Sequence, residues 1–137
     1  MPKIQHISLE AYQQGNFIPA DVAIRIVDDV LLFGRDYPGM LTHHFVFADA
    51  NEDDEQAISS QQANELVHIL QSAFAQQQDV LVHCVAGVSR SGAVAQFAID
   101  YLGFSDGNSS TDWRLPNATV LKALKTALLG EGCPFFR

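Results

Sequence analysis

The two side chains best placed to do chemistry together are Cys84 and Arg90, six positions apart in VLVHCVAGVSRSG, the segment from Val80 to Gly92. An apolar, β-branched run ends at the thiol, and a glycine-bearing turn then opens into a helix that starts near Ser91. A strand, loop and helix joined in this way leave several backbone N–H groups aimed into one concavity, with the positive end of the helix behind them. The natural occupant is an anion, either a phosphoryl group or a thiolate. Both are served if Cys84 lies at the floor, because donors that hold a phosphoryl group also favour the ionised nucleophile. The spacing to Arg90 lets the loop fold back and bring a planar guanidinium over the concavity. There it can pair two phosphoryl oxygens and stabilise charge during transfer. Gly87 permits a positive φ or a close backbone approach, and the small Ala86 and Ser89 leave the loop uncrowded. With Val85 and Val88 these residues form the expected phosphate-binding loop, Val85 to Arg90. Ser91 can donate its hydroxyl towards the sulfur and help the thiolate leave when a phosphocysteine is hydrolysed, while His83 orients the loop through backbone hydrogen bonds.

The elements that must hold this loop follow from apolar periodicity. Short β-rich runs occur at Ala23 to Val27, Val30 to Phe33, Phe45 to Ala48 and Val80 to His83, with a further short strand near Ile4 to Ile7. Ala63, Leu66, Val67, Leu70 and Phe74 share one helical face, with Ser59 or Ser60 as N-cap. A second helix carries Val94, Phe97, Ala98 and Tyr101 and stops at Gly103. A third carries Val120, Leu121, Leu124 and Leu128 between Pro116–Asn117 and Gly130. Gly103 to Pro116 and Asp49 to Glu55 read as loops, the latter with five acids in seven residues, most of them solvated. Strands first and helices interleaved later predict an α/β fold with a small, mixed and largely parallel sheet flanked by helices.

The chain has 137 residues, 47% hydrophobic and 18% charged, which predicts a single compact domain over 1–137. Sixteen acidic against eight basic side chains give a formal charge of −8, with no Lys or Arg run. Binding to a nucleic-acid backbone, which relies on basic patches that neutralise phosphates, is therefore not expected. No stretch approaches the roughly 18 apolar residues of a membrane span, and Met1 to Glu10 lacks the layout of a signal peptide, so a soluble, cytoplasmic protein is expected. Cys133 has no companions and reads as an uninvolved thiol. There is no CxxC pair, and His6, His43, His44 and His68 are scattered surface or packing residues, so no metal and no cofactor is expected.

The Cys-x5-Arg spacing inside HCVAGVSRSG resembles the signature of the cysteine-dependent protein tyrosine phosphatase superfamily, and its flanking residues resemble the dual-specificity branch. His83, Cys84, Gly87, Ser89, Arg90, Ser91 and Gly92 match together, directly after an apolar strand. The resemblance implies a metal-independent phosphomonoester hydrolase. It would act on phosphotyrosine, and with it phosphoserine or phosphothreonine, through a phosphocysteine intermediate, with a phosphorylated protein or small phosphomonoester as partner. It also implies an aspartic acid, after the strand preceding the long helix, that protonates the leaving group. Asp49 ends the run FVFA but stands 35 residues before Cys84, whereas Asp53 and Asp54 stand 31 and 30 before it, inside the acidic loop. Asp49 is preferred, because strand position fixes reach while loop insertions are cheap. The loop has no Lys or His to pair additional phosphates, which gives a phosphoinositide preference no support. Two other readings stay open: a phosphate-binding module without turnover, and a rhodanese-like sulfurtransferase, which also sets a cysteine in an anion-cradling loop.

Overall fold

The computed structural model describes residues 1–51, 53–109 and 114–130. Five strands form one sheet: β1 (Lys3–Ser8), β2 (Val22–Val27), β3 (Leu41–Val46), β4 (Val80–Cys84) and β5 (Ser105–Asp106). Their order is β3-β2-β4-β1-β5, so β4 is central, and every pairing is parallel. The sheet is thus parallel throughout rather than mixed. Parallel neighbours require crossovers: α1 (Leu9–Gln13) lies between β1 and β2, α2 (Ser60–Ala75) between β3 and β4, and α3 (Arg90–Phe97) between β4 and β5, while α4 (Ala118–Leu129) follows the last strand. All strands then end at the same edge, where β4 lies between β1 and β2 and the loops of an open parallel sheet gather around a ligand.

Strand faces explain the layers. Ile4, Val22, Ile24, Ile26, Val80 and Val82 alternate along their strands and enter one apolar core with Ala63, Leu66, Val67 and Leu70 of α2 and with α3 and α4. Each fully buried leucine in that stripe contributes about 2 kcal/mol through apolar burial. The α2 helix begins with a capping box, in which Ser59 Oγ accepts from Gln62 N at 3.1 Å and Gln62 Oε1 accepts from Ser59 N at 2.9 Å. Seven of the eight residues of α3 are buried, leaving no face for a clear amphipathic stripe; it continues as a π-helical turn, Ala98–Leu102, to a left-handed Gly103.

Val30 to Phe33 is not a strand. Asp29 caps a 3-10 turn at Val30–Leu32 by accepting from Leu31 N at 2.9 Å, and Val30, Leu31 and Leu32 are exposed. The local Asx bond competes successfully with β propensity because no neighbouring strand pairs with this short run. The short helix α1 and the two-residue β5 also lie beyond what periodicity predicts. No described helix is long and apolar enough to cross a membrane. Cys133 lies outside the described residues.

Candidate active site

The ends of four strands converge on the loop after β4. Cys84 is the last residue of that strand and is buried. Its Sγ accepts from Gly87 N at 3.2 Å and lies 3.2 Å from Ser91 Oγ, so a loop amide and a hydroxyl both face the sulfur. Gly87 is the pivot: its φ is +77°, and a Cβ there would lie 2.3 Å from Ser8 N and 2.5 Å from Ile7 C. Only glycine allows this turn to press against the backbone of β1. The loop is pinned from three sides. Leu9 N donates to Val85 O at 3.2 Å, Leu115 N donates to Val88 O at 3.2 Å, and Asn117 N donates to Ser89 O at 3.1 Å.

Arg90, the first residue of α3, is 4% exposed. Its Nη1 donates to Asp28 Oδ1 at 2.5 Å and to Phe47 O at 2.7 Å. Its Nε is buried and has no hydrogen-bond partner among the described residues. A buried guanidinium N–H without an acceptor is costly unless something else completes it.

Asp49 follows β3 and is bonded to this same loop. Its Oδ1 accepts from Ser89 Oγ at 2.8 Å and from Asn117 Nδ2 at 2.6 Å. Asp54 makes a local turn instead, accepting from Gln56 N at 2.8 Å, and Asp53 is exposed. Of the three candidate aspartates, the structure brings Asp49 alone into hydrogen bonding with the loop among the described contacts.

Behind the thiol, His83 is enclosed by a polar cluster on the opposite face of the sheet. Arg25 Nε donates to His83 Nε2 at 2.9 Å, which leaves the ring proton on Nδ1, 3.3 Å from Cys84 O. Burial pushes the His83 pKa down to about 4, helped by the positive charges of Arg25 and Arg90 and opposed by the hydrogen bond to the Cys84 carbonyl. A neutral imidazole that holds a carbonyl is an orienting group, not a base. Arg25 continues to Asp36 at 2.6 Å and to the carbonyls of Arg35 and Phe33, and it lies 4.1 Å over the Tyr12 ring. Burial alone would raise Asp36, but its hydrogen bonds from His44 and Arg25 outweigh that and hold its carboxyl below the usual range.

Four contributors escaped the sequence reading. Of the two readings for His6, surface or packing, the second holds: it is buried, with Nδ1 2.7 Å from Gly87 O, and its Nε2 accepts from Arg114 Nε at 3.1 Å. A polar residue two positions after Ile4, within a strand whose core face is apolar, was the available signal. Asp28 directly follows VAIRIV, as Asp49 follows FVFA, and the strand-end criterion that selects Asp49 would have selected it too. Asn117 was read as opening a helix; it does cap α4, with Oδ1 accepting from Val120 N at 3.0 Å, and it holds Asp49 with its amide as well. Arg25 had no signal beyond being a charge inside an apolar strand.

A model of the dual specificity phosphatase catalytic domain matches residues 38–105. No curated protein sequence matches the chain. Among solved structures, human DUSP28 superposes with a TM-score of 0.64 at 17% identity, over 93% of this chain and 92% of that one. A mouse putative dual specificity phosphatase complexed with zinc tungstate gives 0.58 at 17% identity, over 88% and 78%. OH1 from the Orf virus, described as a tyrosine phosphatase with triple substrate specificity, gives 0.54 at 21% identity, over 94% and 70%.

Proposed function

Because this chain has a dual-specificity phosphatase-like fold, we propose that it hydrolyses phosphomonoesters of proteins through a covalent intermediate on Cys84. Phosphotyrosine is the first substrate class, with phosphoserine and phosphothreonine next. The observation that carries the reading is the pairing of a buried thiol, faced by Gly87 N and Ser91 Oγ, with a buried Arg90 Nε that has no acceptor of its own. A tetrahedral oxyanion seated between them would complete both.

In the first step the Cys84 thiolate attacks phosphorus. An S–P bond forms as the P–O bond to the alcohol or phenol breaks, and Asp49, as general acid, gives a proton to the leaving oxygen. The amides of Val85 to Arg90 and the Arg90 guanidinium hold the three equatorial oxygens, where charge concentrates during transfer. In the second step water attacks the phosphocysteine. Asp49 takes a proton from that water, phosphate departs, and the Ser91 hydroxyl stabilises the sulfur as it becomes a thiolate again. No step calls for a metal. The mouse protein is complexed with zinc tungstate, and tungstate is a tetrahedral oxyanion like phosphate.

The test is turnover of para-nitrophenyl phosphate and a phosphotyrosine peptide with a chelator present, comparing wild type with Cys84→Ser, Asp49→Ala and Asp53→Ala. The expected result is turnover by wild type, none by Cys84→Ser, and a loss in Asp49→Ala that is larger on the peptide, whose phenol is the poorer leaving group. An inactive wild type that binds the phosphopeptide would replace the enzyme with a phosphate-binding module. A loss in Asp53→Ala alone would move the acid.

A further inference from the structure

Two strand ends grip Arg90. The register pairs Val27 of β2 with Val46 of β3, so the next residues, Asp28 and Phe47, leave the sheet side by side; Phe47 N also donates to Val27 O at 3.1 Å. One offers a carboxylate and the other a carbonyl, and both accept from the same nitrogen, Nη1, at 2.5 and 2.7 Å. Nη1 carries two hydrogens that lie in the guanidinium plane. Engaging both fixes that plane and dictates where the opposite edge points. That edge includes Nε, which is buried and unpartnered among the described residues. The Arg90 side chain is 5% exposed while that of Asp28 is 52% exposed, so the arginine is the embedded member and the aspartate reaches it from the rim.

We infer that Asp28 is a positioning residue, which holds Nη1 so that the Nε edge of Arg90 is presented to the oxyanion before substrate arrives. This rests on the phosphatase reading and deepens it. A carboxylate beside the guanidinium also offsets its charge, so its two effects on anions oppose each other: removing it releases the geometry but leaves a less neutralised cation. Positioning therefore predicts a split between turnover and binding, because aligned donors matter most to the equatorial oxygens in the transition state, while resting affinity follows net charge.

The experiment compares wild type with Asp28→Ala and Asp28→Asn, whose amide oxygen can still accept from Nη1. Three quantities are read: kcat and KM on para-nitrophenyl phosphate, the inhibition constant of inorganic phosphate, and the Arg90 Nε–H resonance in an ¹⁵N spectrum with and without phosphate. Asp28→Ala should lose about 10- to 100-fold in kcat, with phosphate inhibition unchanged or tighter and the Nε–H signal broadened. Asp28→Asn should recover most of the rate and a sharp, phosphate-shifted signal. Equal losses in Asn and Ala, a parallel loss of phosphate affinity, or a kcat in Asp28→Ala within twofold of wild type would overturn the assignment. If wild type itself does not turn over, it is the phosphatase reading that fails. The Nε–H signal then decides the role of Asp28 by itself: broadening in Ala but not Asn supports it, and identical signals overturn it.

Discussion

Two buried arginines, Arg25 and Arg90, divide the work of this molecule. Every side-chain nitrogen of Arg25 has an acceptor: Nε reaches His83, Nη1 reaches Asp36 and the Arg35 carbonyl, Nη2 reaches the Phe33 carbonyl, and Tyr12 stacks beneath. Arg90 spends its Nη1 on Asp28 and Phe47 and keeps a buried Nε unpaired. A buried cation whose every nitrogen already has an acceptor in the folded chain holds structure. A cation with a donor left over is complete only when a ligand arrives. On that contrast, damage to the first should appear in stability and damage to the second in chemistry.

The sharpest way to break the comparison is to change each arginine. Arg90→Lys should lower kcat on para-nitrophenyl phosphate by about 1,000-fold or more, since a point charge cannot supply the planar pair of donors, while the thermal midpoint stays close to wild type. Gly87→Ala comes next. A left-handed φ and a backbone contact at 2.3 Å together should cost more than about 3 kcal/mol in urea unfolding, and the distorted loop should lose turnover too. Arg25→Met should cost about 3 kcal/mol by leaving His83 Nε2 without its donor and Asp36 with His44 alone, yet protein that remains folded at low temperature should keep its activity within about tenfold.

The same cluster sets a pH dependence. His83 titrates near 4 when folded but at 6.5 when free, so between those values the unfolded chain binds the proton that the folded one refuses. Its contribution is fully present above pH 6.5 and is lost as pH falls towards 4, by about 3 kcal/mol over the whole window. His43, held low first by burial and then by the charge of His44, adds to the slope in the same sense. Urea midpoints at pH 7 and 4.5 should separate in wild type and lie closer together in His83→Phe. The smallest effect belongs to Asn117→Ala. It removes the α4 cap at a cost of about 1 kcal/mol and one of the two donors to Asp49, and it should slow turnover of poor leaving groups more than good ones.

The loop after β4 was legible as a candidate site because its residues are compressed into one segment: Cys84, Gly87, Arg90 and Ser91 lie within eight residues, next to a strand that reads clearly. The α2 and α4 helices were legible for the same local reason, since Ser59 and Asn117 cap them from adjacent positions. What escaped depends on sheet order. Asp28 is 62 residues from Arg90, and nothing in β2 announces that β3 and β4 will flank it. His6 meets Gly87 across 81 residues, because β1 pairs with β4. Val30 to Phe33 misled because β propensity counts only where a partner strand exists, and here the local Asx cap prevailed.

The covalent step is the centre of the proposal, and acid-quenched mass spectrometry of the protein during turnover of para-nitrophenyl phosphate tests it most directly. The expected result is a phosphate adduct on the peptide containing Cys84, enriched when Asp49→Ala slows the hydrolytic step and absent from Cys84→Ser. Continued hydrolysis by Cys84→Ser, or turnover with no adduct on Cys84 in either active form, would contradict it.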